Sequence, residues 1–188
     1  MIMKTQWLIS AKFLALSLVL LGIVYPLFVF IAGRALFPFQ AGGSIIKEGN
    51  LIVGSELIAQ DFSRPGYFQP RPSACGFDPT SSGGSNLAPT SARLIEIYRE
   101  RIRELRLANP DAKAKIPVEL VSSSSSGLDP HISLGAALWQ VPRVARVRGL
   151  PEEKVEAFVR RSALPPLLGF IGERRVNVLD LNRRIDQF

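Results

Sequence analysis

The sequence predicts a single N-terminal transmembrane helix followed by one mixed α/β (α+β) soluble domain. Three observations carry that expectation. Phe13 to Ala32 holds twenty residues without a charge, and at about 1.5 Å per residue it covers roughly 30 Å, the thickness of a bilayer's hydrocarbon core. Such a run occurs once. From Ala41 to Phe188, helical 3–4 spacings alternate with short β-rich runs and nothing repeats, over a length sufficient for one domain with its own core. The expected division is a short N-terminal tail (1–12), a transmembrane helix (13–32) and a soluble domain (41–188).

The apolar segment could be a signal peptide or an anchor. Lys4 and Lys12 supply a basic n-region, but the apolar stretch is too long for a signal. Arg34 stands where a cleavage site needs a small residue. A retained anchor is the better reading, and Pro26 is tolerated in such helices. Ser17 and Gly22 are small enough to admit a neighbouring helix, or simply face lipid. Lys4 and Lys12 on one flank, against Arg34 and Lys47 beside Glu48 on the other, weakly favour a cytoplasmic N-terminus and an exported domain. The lone Cys75 permits no internal disulfide and leaves the compartment open.

The chain has 23 basic and 16 acidic residues, a formal charge of +7. Three of the basic residues, Lys4, Lys12 and Arg34, lie in or beside the apolar segment. Arg99, Arg101, Arg103 and Arg106 alternate with Glu96, Glu100 and Glu104, which reads as a solvated helix face. No basic stripe interleaved with aromatics is present, so nucleic acid is not an expected partner. The bilayer is.

Along the soluble part, Ser44–Ile46 and Leu51–Val53 read as strands around a Lys47-Glu48-Gly49-Asn50 turn. Residues 61–90 form a long connection rich in proline and glycine. It keeps Phe62, Tyr67, Phe68 and Phe77, so it reads as an ordered, packed loop. A helix is expected at 91–107, capped by Thr90 or Ser91, with Leu94, Ile95, Tyr98, Ile102 and Leu105 on one face and a stop at Asn109-Pro110. Ile116–Val121 reads as a strand, and Gly127-Leu128-Asp129-Pro130 as a turn. A second helix starts near Ser133, is expected to kink at Pro142 and ends at Gly149. Pro151, as the first helical residue, opens a third helix to about Ser162. Pro165-Pro166 break it, Arg175–Val178 reads as a strand and Leu179–Asp186 as the last helix.

Several chemistries are missing from the sequence. There is no G-x-x-x-x-G-K-[ST] and no G-x-G-x-x-G after a strand. One cysteine and one histidine cannot make a metal cluster. One constellation remains, Ser122 to Ser126 followed by Gly127, Asp129, His131 and Ser133. A hydrolase would use a serine as nucleophile, His131 as base and Asp129 as orienter. Two residues across Pro130 are badly placed for that, and no G-x-S-x-G elbow exists. Consecutive amides and hydroxyls before a helix could cradle a phosphate. A structural turn asks least of the residues, with Asp129 folding back on the backbone and Ser133 capping the helix.

The order of longer motifs resembles a known family. The apolar helix and Gly54-Ser55 are followed by Tyr67-Phe68, Arg71-Pro72-Ser73-Ala74 and Gly83-Gly84-Ser85-Asn86-Leu87. Ser124, Ser126-Gly127-Leu128-Asp129-Pro130-His131-Ile132-Ser133, Gln140-Val141, Arg143-Val144-Ala145 and Arg148-Gly149 come next. Gly169-Phe170 through Gly172, Arg175 to Leu179 and Leu181-Asn182 close the series. Nearly end to end, the chain resembles the C subunit of the bacterial Kdp potassium-transporting ATPase. Ser123 and Ser125 stand where that family more often has smaller residues, and Arg174 where proline is common.

The resemblance implies an accessory subunit of a high-affinity, ATP-driven potassium uptake complex in the bacterial inner (cytoplasmic) membrane, not an enzyme by itself. An Asp-Lys-Thr-Gly-Thr phosphorylation motif and a Thr-Val-Gly-Tyr-Gly-like filter are both missing, in keeping with that. The implied partners are a channel-like potassium-binding subunit, a P-type ATP-hydrolysing subunit and a small one-helix subunit. The implied roles are stabilising the assembly and acting as a catalytic chaperone that raises the ATP affinity of the catalytic subunit. ATP is therefore implied, directly or at a distance, and K+ is handled by the complex. Candidate functional loops comprise Arg71, Ser85, Asn86, Ser124, Ser126, Gly127, Asp129, His131 and Ser133. The alternatives are a membrane-anchored hydrolase using Ser126, Asp129 and His131, and an extracytoplasmic binding module.

Overall fold

A computed structural model describes the backbone from Ile2 to Phe188 and the side chains from Thr5 onward; the side chain of Lys4 lies outside the described residues. Contacts divide the chain into two units, Met1–Ile45 and Ile46–Phe188.

The first unit is an apolar helix in two lengths, α1 (Ile2–Val19) and α2 (Tyr25–Leu36), joined by a π-helical turn at Leu20–Val24, then a short α3 (Pro38–Ala41). Among the described residues, Thr5–Leu36 is the one helix long and apolar enough to cross a membrane. The π turn has a local cause. Pro26 has no N–H, and its ring would crowd the carbonyl one turn back. Widening the turn lets the preceding N–H, that of Tyr25, bond the Leu20 carbonyl.

The second unit is mixed, as its alternating pattern predicts. Strands β1 (Ile45–Glu48) and β2 (Leu51–Ser55) pair as one two-stranded sheet. Gly49 turns between them in the left-handed region (φ 60). Helices α4 (Ala92–Ala108), α5 (Val118–Val121), α6 (Leu134–Arg148), α7 (Glu152–Ser162) and α8 (Val178–Ile185) accompany a second small sheet, against which α6 and α8 pack. This is β3 (His131–Ser133) antiparallel to β4 (Arg175–Asn177), with Ile132 opposite Val176.

The core lies around α6. Ala136, Ala137, Val141, Val144 and Ala145 are buried, and their small size lets α7 approach with Val155, Phe158 and Val159. Ile132, Val176, Val178 and Leu181 close the other side. The helix runs through Pro142 without a break. It ends at Gly149 (φ 67), where the Leu150 N–H reaches back to the Ala145 carbonyl at 3.0 Å, satisfying a terminal acceptor.

Three local expectations need correction, and one short strand was not foreseen. Ile116–Val121 is no strand, because its C-terminal part folds as the single turn α5; Pro117 sets the helix entry that the β-rich composition concealed. His131–Ser133 is a strand before α6 begins, since β4 offers it a partner. Pro151 is the residue before α7, not its first. The apolar face of α4 is only half used, with Leu94 buried and Ile95 exposed.

Residues 56–91 have no helix or strand, yet they are packed. Phe68 is fully buried. Its N–H donates to Asn182 Oδ1 at 2.8 Å, and Asn182 Nδ2 donates to the Phe68 carbonyl at 2.8 Å. Gln140 does the same for Gln69, at 2.8 and 3.0 Å. Two side-chain amides thus replace the missing strand partner and satisfy buried backbone.

Candidate functional site

The serine loop lies between α5 and β3, and its groups are bonded to one another and to the long loop beside it. Ser124 is buried, its N–H donating to the Pro72 carbonyl at 3.0 Å. Its hydroxyl pairs with that of Ser126 at 3.1 Å. The Ser126 hydroxyl also accepts from the Leu128 N–H at 3.1 Å, closing a tight serine turn. The Ser126 carbonyl accepts from the Gly83 N–H at 2.9 Å and the Ser82 hydroxyl at 3.0 Å. Gly127 is glycine by necessity. Its φ is 70, and a Cβ there would lie 2.5 Å from Cys75 Sγ and 2.8 Å from the Gly83 carbonyl.

Asp129 holds the next turn. Its Oδ1 accepts from the His131 N–H at 3.0 Å, and its Oδ2 meets Arg71 Nη1 at 3.3 Å. Arg71 Nη2 donates to the Ser123 carbonyl at 3.4 Å, tying the long loop to the serine loop; its Nε is buried without a partner among the described residues. Ser133 caps α6, accepting from the Ala136 N–H at 3.1 Å while its own N–H and hydroxyl donate to Glu119. Of the residues singled out in the sequence, Arg71, Ser124, Ser126, Gly127, Asp129, His131 and Ser133 share this linked region. Ser85 and Asn86 lie on the adjoining exposed loop, where Asn86 adopts φ 50.

The hydrolase arrangement is not assembled. His131 Nδ1 is 4.0 Å from Asp129 Oδ1, an oxygen already taken by backbone. The hydrogen-bond partners of Ser126 Oγ are Ser124 and Leu128, not His131. Burial lowers the His131 pKa from its ordinary value, with Asp129 opposing and Arg175 adding to the effect. The Cys75 thiol is also lowered, chiefly by its hydrogen bond with Ser73. Among the described residues, no group of three or more His, Cys, Asp or Glu side chains could hold a metal ion.

Sequence reasoning missed several contributors. Arg101 does not sit on a solvated face. It turns inward, donating to the Val121 carbonyl at 2.9 Å and to Ser123 Oγ at 3.0 Å, and burial lowers its pKa. Ser73 Oγ accepts from the Cys75 and Phe77 N–H groups at 3.3 and 2.9 Å. Gln140, Arg143 and Asn182 form a buried polar scaffold under the long loop. Gln140 and Arg143 sit three apart within the apolar face of α6, a polar interruption that could have signalled it.

A single apolar span joined to a small α+β domain with locked polar loops defines a class, the single-span membrane-anchored domain. Within that class, residues 7–187 match the model of the KdpC family, described as "K+-transporting ATPase, c chain". The chain belongs to that family. It is a subunit of a potassium-transporting ATPase, with one candidate membrane span. Relatives called "Potassium-transporting ATPase KdpC subunit" agree. One from Polaromonas naphthalenivorans is 51% identical over 170 residues, covering 89% of this chain and 87% of that protein. One from Janthinobacterium sp. is 44% identical over 188 residues, covering 98% and 100%. One from Escherichia coli K12 is 45% identical over 173 residues, covering 90% and 91%.

Proposed function

We infer that this subunit is an accessory, non-catalytic component. In this reading it stabilises the assembly of a channel-like potassium-binding subunit with a P-type ATP-hydrolysing subunit, with a small one-helix subunit as a further partner. The N-terminus is cytoplasmic, the anchor lies in the bacterial inner membrane and the domain is extracytoplasmic. The observation that carries this is the self-bonded serine loop. The Ser124 amide bonds Pro72, the Ser124 and Ser126 hydroxyls bond one another, and the Ser126 carbonyl accepts from Gly83, which suits a fixed contact surface better than an open phosphate cradle. The contact surface comprises the loops around Arg71 to Asn86 and Ser124 to Ser133. Any effect on ATP affinity, the chaperone role, then runs through coupled conformations of the partners.

Two measurements test this. A cysteine at the exposed Ser85, in a Cys75→Ala chain, is treated with a membrane-impermeant maleimide in intact cells. Labelling without lysis is expected; labelling only after permeabilisation overturns the topology and revives direct nucleotide contact. Asp129→Ala and His131→Ala are then assayed for complex recovery and potassium uptake. If both stay at wild-type levels, the loop is not the contact surface.

A further inference from the structure

The stretch from Ala163 to Gly172 has no polar side chain at all: Ala-Leu-Pro-Pro-Leu-Leu-Gly-Phe-Ile-Gly. It extends the β3–β4 sheet as a closed hairpin. The Leu164 N–H donates to the Arg175 carbonyl at 2.8 Å, and Leu167 and Ile171 exchange bonds of 2.9 Å in both directions. Gly169 and Phe170 donate to Pro166 and Leu167, while Pro165 and Pro166 have no N–H to satisfy. Much of the hairpin's backbone is therefore bonded within itself, while the carbonyls of Leu168, Gly169 and Phe170 at the turn stay free to meet water and headgroups, which suits the interfacial depth rather than the hydrocarbon core.

The side chains point the other way. Leu168 is 75% exposed and Phe170 77%, and Leu167 and Ile171 are exposed beside them. Leu168 is held in the left-handed region (φ 54), uncommon for a bulky residue and fixed by the bonds around it. Contiguous exposed apolar surface of this kind marks a protein or a membrane contact. At the base stand Arg161, Arg174 and Arg175, all without an ion-pair partner among the described residues, with Glu173 the one acid between them.

We propose that this hairpin inserts its tip, Leu167 to Ile171, into the interface of an anionic bilayer, as a second membrane contact besides the span. Three features favour lipid over protein. Protein interfaces average roughly one hydrogen bond per 100–200 Å², and ten successive residues here offer no side-chain donor or acceptor. Apolar tip and cationic base follow the order of acyl chains and phosphates in a leaflet. Eight residues separate Leu36 from Ile45, so covalent reach keeps Ile45, where the domain begins, within roughly 30 Å of the end of the apolar helix. A contact that is weak alone is then supported by a high effective concentration of lipid.

The test uses the full-length chain in phosphatidylcholine–phosphatidylglycerol vesicles. A nitroxide is attached at Leu167→Cys in a Cys75→Ser background, with Leu107→Cys, an exposed site on α4, as reference. Collision with oxygen, which favours lipid, is compared with collision with a nickel chelate present on both sides. The expected oxygen-to-nickel ratio at position 167 is several-fold above that at 107. It falls to the reference in Leu168→Ser/Phe170→Ser, whose urea midpoint stays unchanged because both side chains are exposed. A ratio at 167 equal to the reference in the intact hairpin overturns the proposal. So does a label open to nickel in the lone chain that becomes shielded only when the other subunits are co-assembled, which would make the hairpin a protein contact and leave the subunit role intact.

Discussion

Arg143→Met is the sharpest test of how the long loop is held. Arg143 is 2% exposed. Its Nε donates to Asn109 Oδ1 at 2.9 Å, Nη1 to the carbonyls of Tyr67 at 2.9 Å and of Pro65, and Nη2 to Gln140 Oε1 at 2.7 Å. Among the described residues no carboxylate lies within ion-pair distance, so the partners seen for this buried cation are neutral acceptors. Burial, with a smaller push from Arg146, lowers its pKa from the ordinary guanidinium range to about 10. At about 1.4 kcal/mol per unit, holding the charge there costs about 3 kcal/mol. Because the folded state holds the proton less tightly than the unfolded chain, stability from this group rises as pH climbs from about 10 towards the ordinary guanidinium range.

Methionine removes that charge but strands Pro65 O, Tyr67 O and Asn109 Oδ1. At about 1–3 kcal/mol each, the loss is about 6 kcal/mol; Gln140 Oε1 keeps the Gln69 N–H. The net expectation is a destabilisation of about 3 kcal/mol, a large share of a typical domain's 5–15 kcal/mol, by the same rough reckoning. The assay is urea unfolding in detergent, following Trp139 in the buried core of a Trp7→Phe chain. Chymotrypsin cleavage at Phe62, Tyr67 and Phe68 reports the loop. A Met variant within about 0.5 kcal/mol of the parent, with the loop still resistant, would refute the reasoning.

Three further outcomes follow from single contacts. The His131 pKa is lowered in the fold, so its stabilisation is complete above 6.5 and is lost as pH falls through the folded value. The urea midpoint should therefore drop from about pH 7 to about pH 5, and His131→Gln should flatten that drop; Asp78, also lowered, titrates below 3.8 and outside this window. Gly127→Ala should cost about 2–5 kcal/mol in urea unfolding, through a left-handed φ and a clash. Adding Cys75→Ala should rescue it only in part, because the Gly83 carbonyl at 2.8 Å remains. Ser133→Ala should lower stability by about 1–2 kcal/mol, as the cap on Ala136 and the bonds to Glu119 go together; an unchanged thermal midpoint would mean that α6 does not depend on this cap.

Much of the architecture was legible because local chemistry dictates it. The apolar run, the Ser133 cap, the Gly149 terminus and the aromatics of the long loop each have a cause within a few residues. The errors share the opposite origin. Ile116–Val121 has strand composition, but no neighbouring strand accepts it. His131–Ser133 looks like a turn until β4, more than forty residues on, pairs with it. Arg101 looks solvent-facing by its alternation with glutamates, and only the fold brings the Val121 carbonyl and Ser123 to it. Of the candidate site, the short-range turns at Asp129 and Ser133 could be read ahead. The Arg71–Asp129 pair, 58 residues apart, and the Gly83–Ser126 bond could not.

The closed bonding of the serine loop also constrains any action at a distance. A tenfold change in a partner's ATP affinity requires this subunit to bind the partner's two states with a difference of about 1.4 kcal/mol. A surface whose turns are fixed by Ser126, Asp129 and Arg71 has little room to rearrange, so the difference must arise where the partner's surface moves against it. If this subunit raises a partner's ATP affinity as proposed, linkage makes the effect reciprocal, and nucleotide bound to that partner tightens its association with this subunit by the same factor. On that proposal, substitutions that soften the loop, Asp129→Ala above all, should weaken the coupling by letting one face fit both states of the partner equally well, read as a smaller nucleotide-dependent change in this subunit's binding.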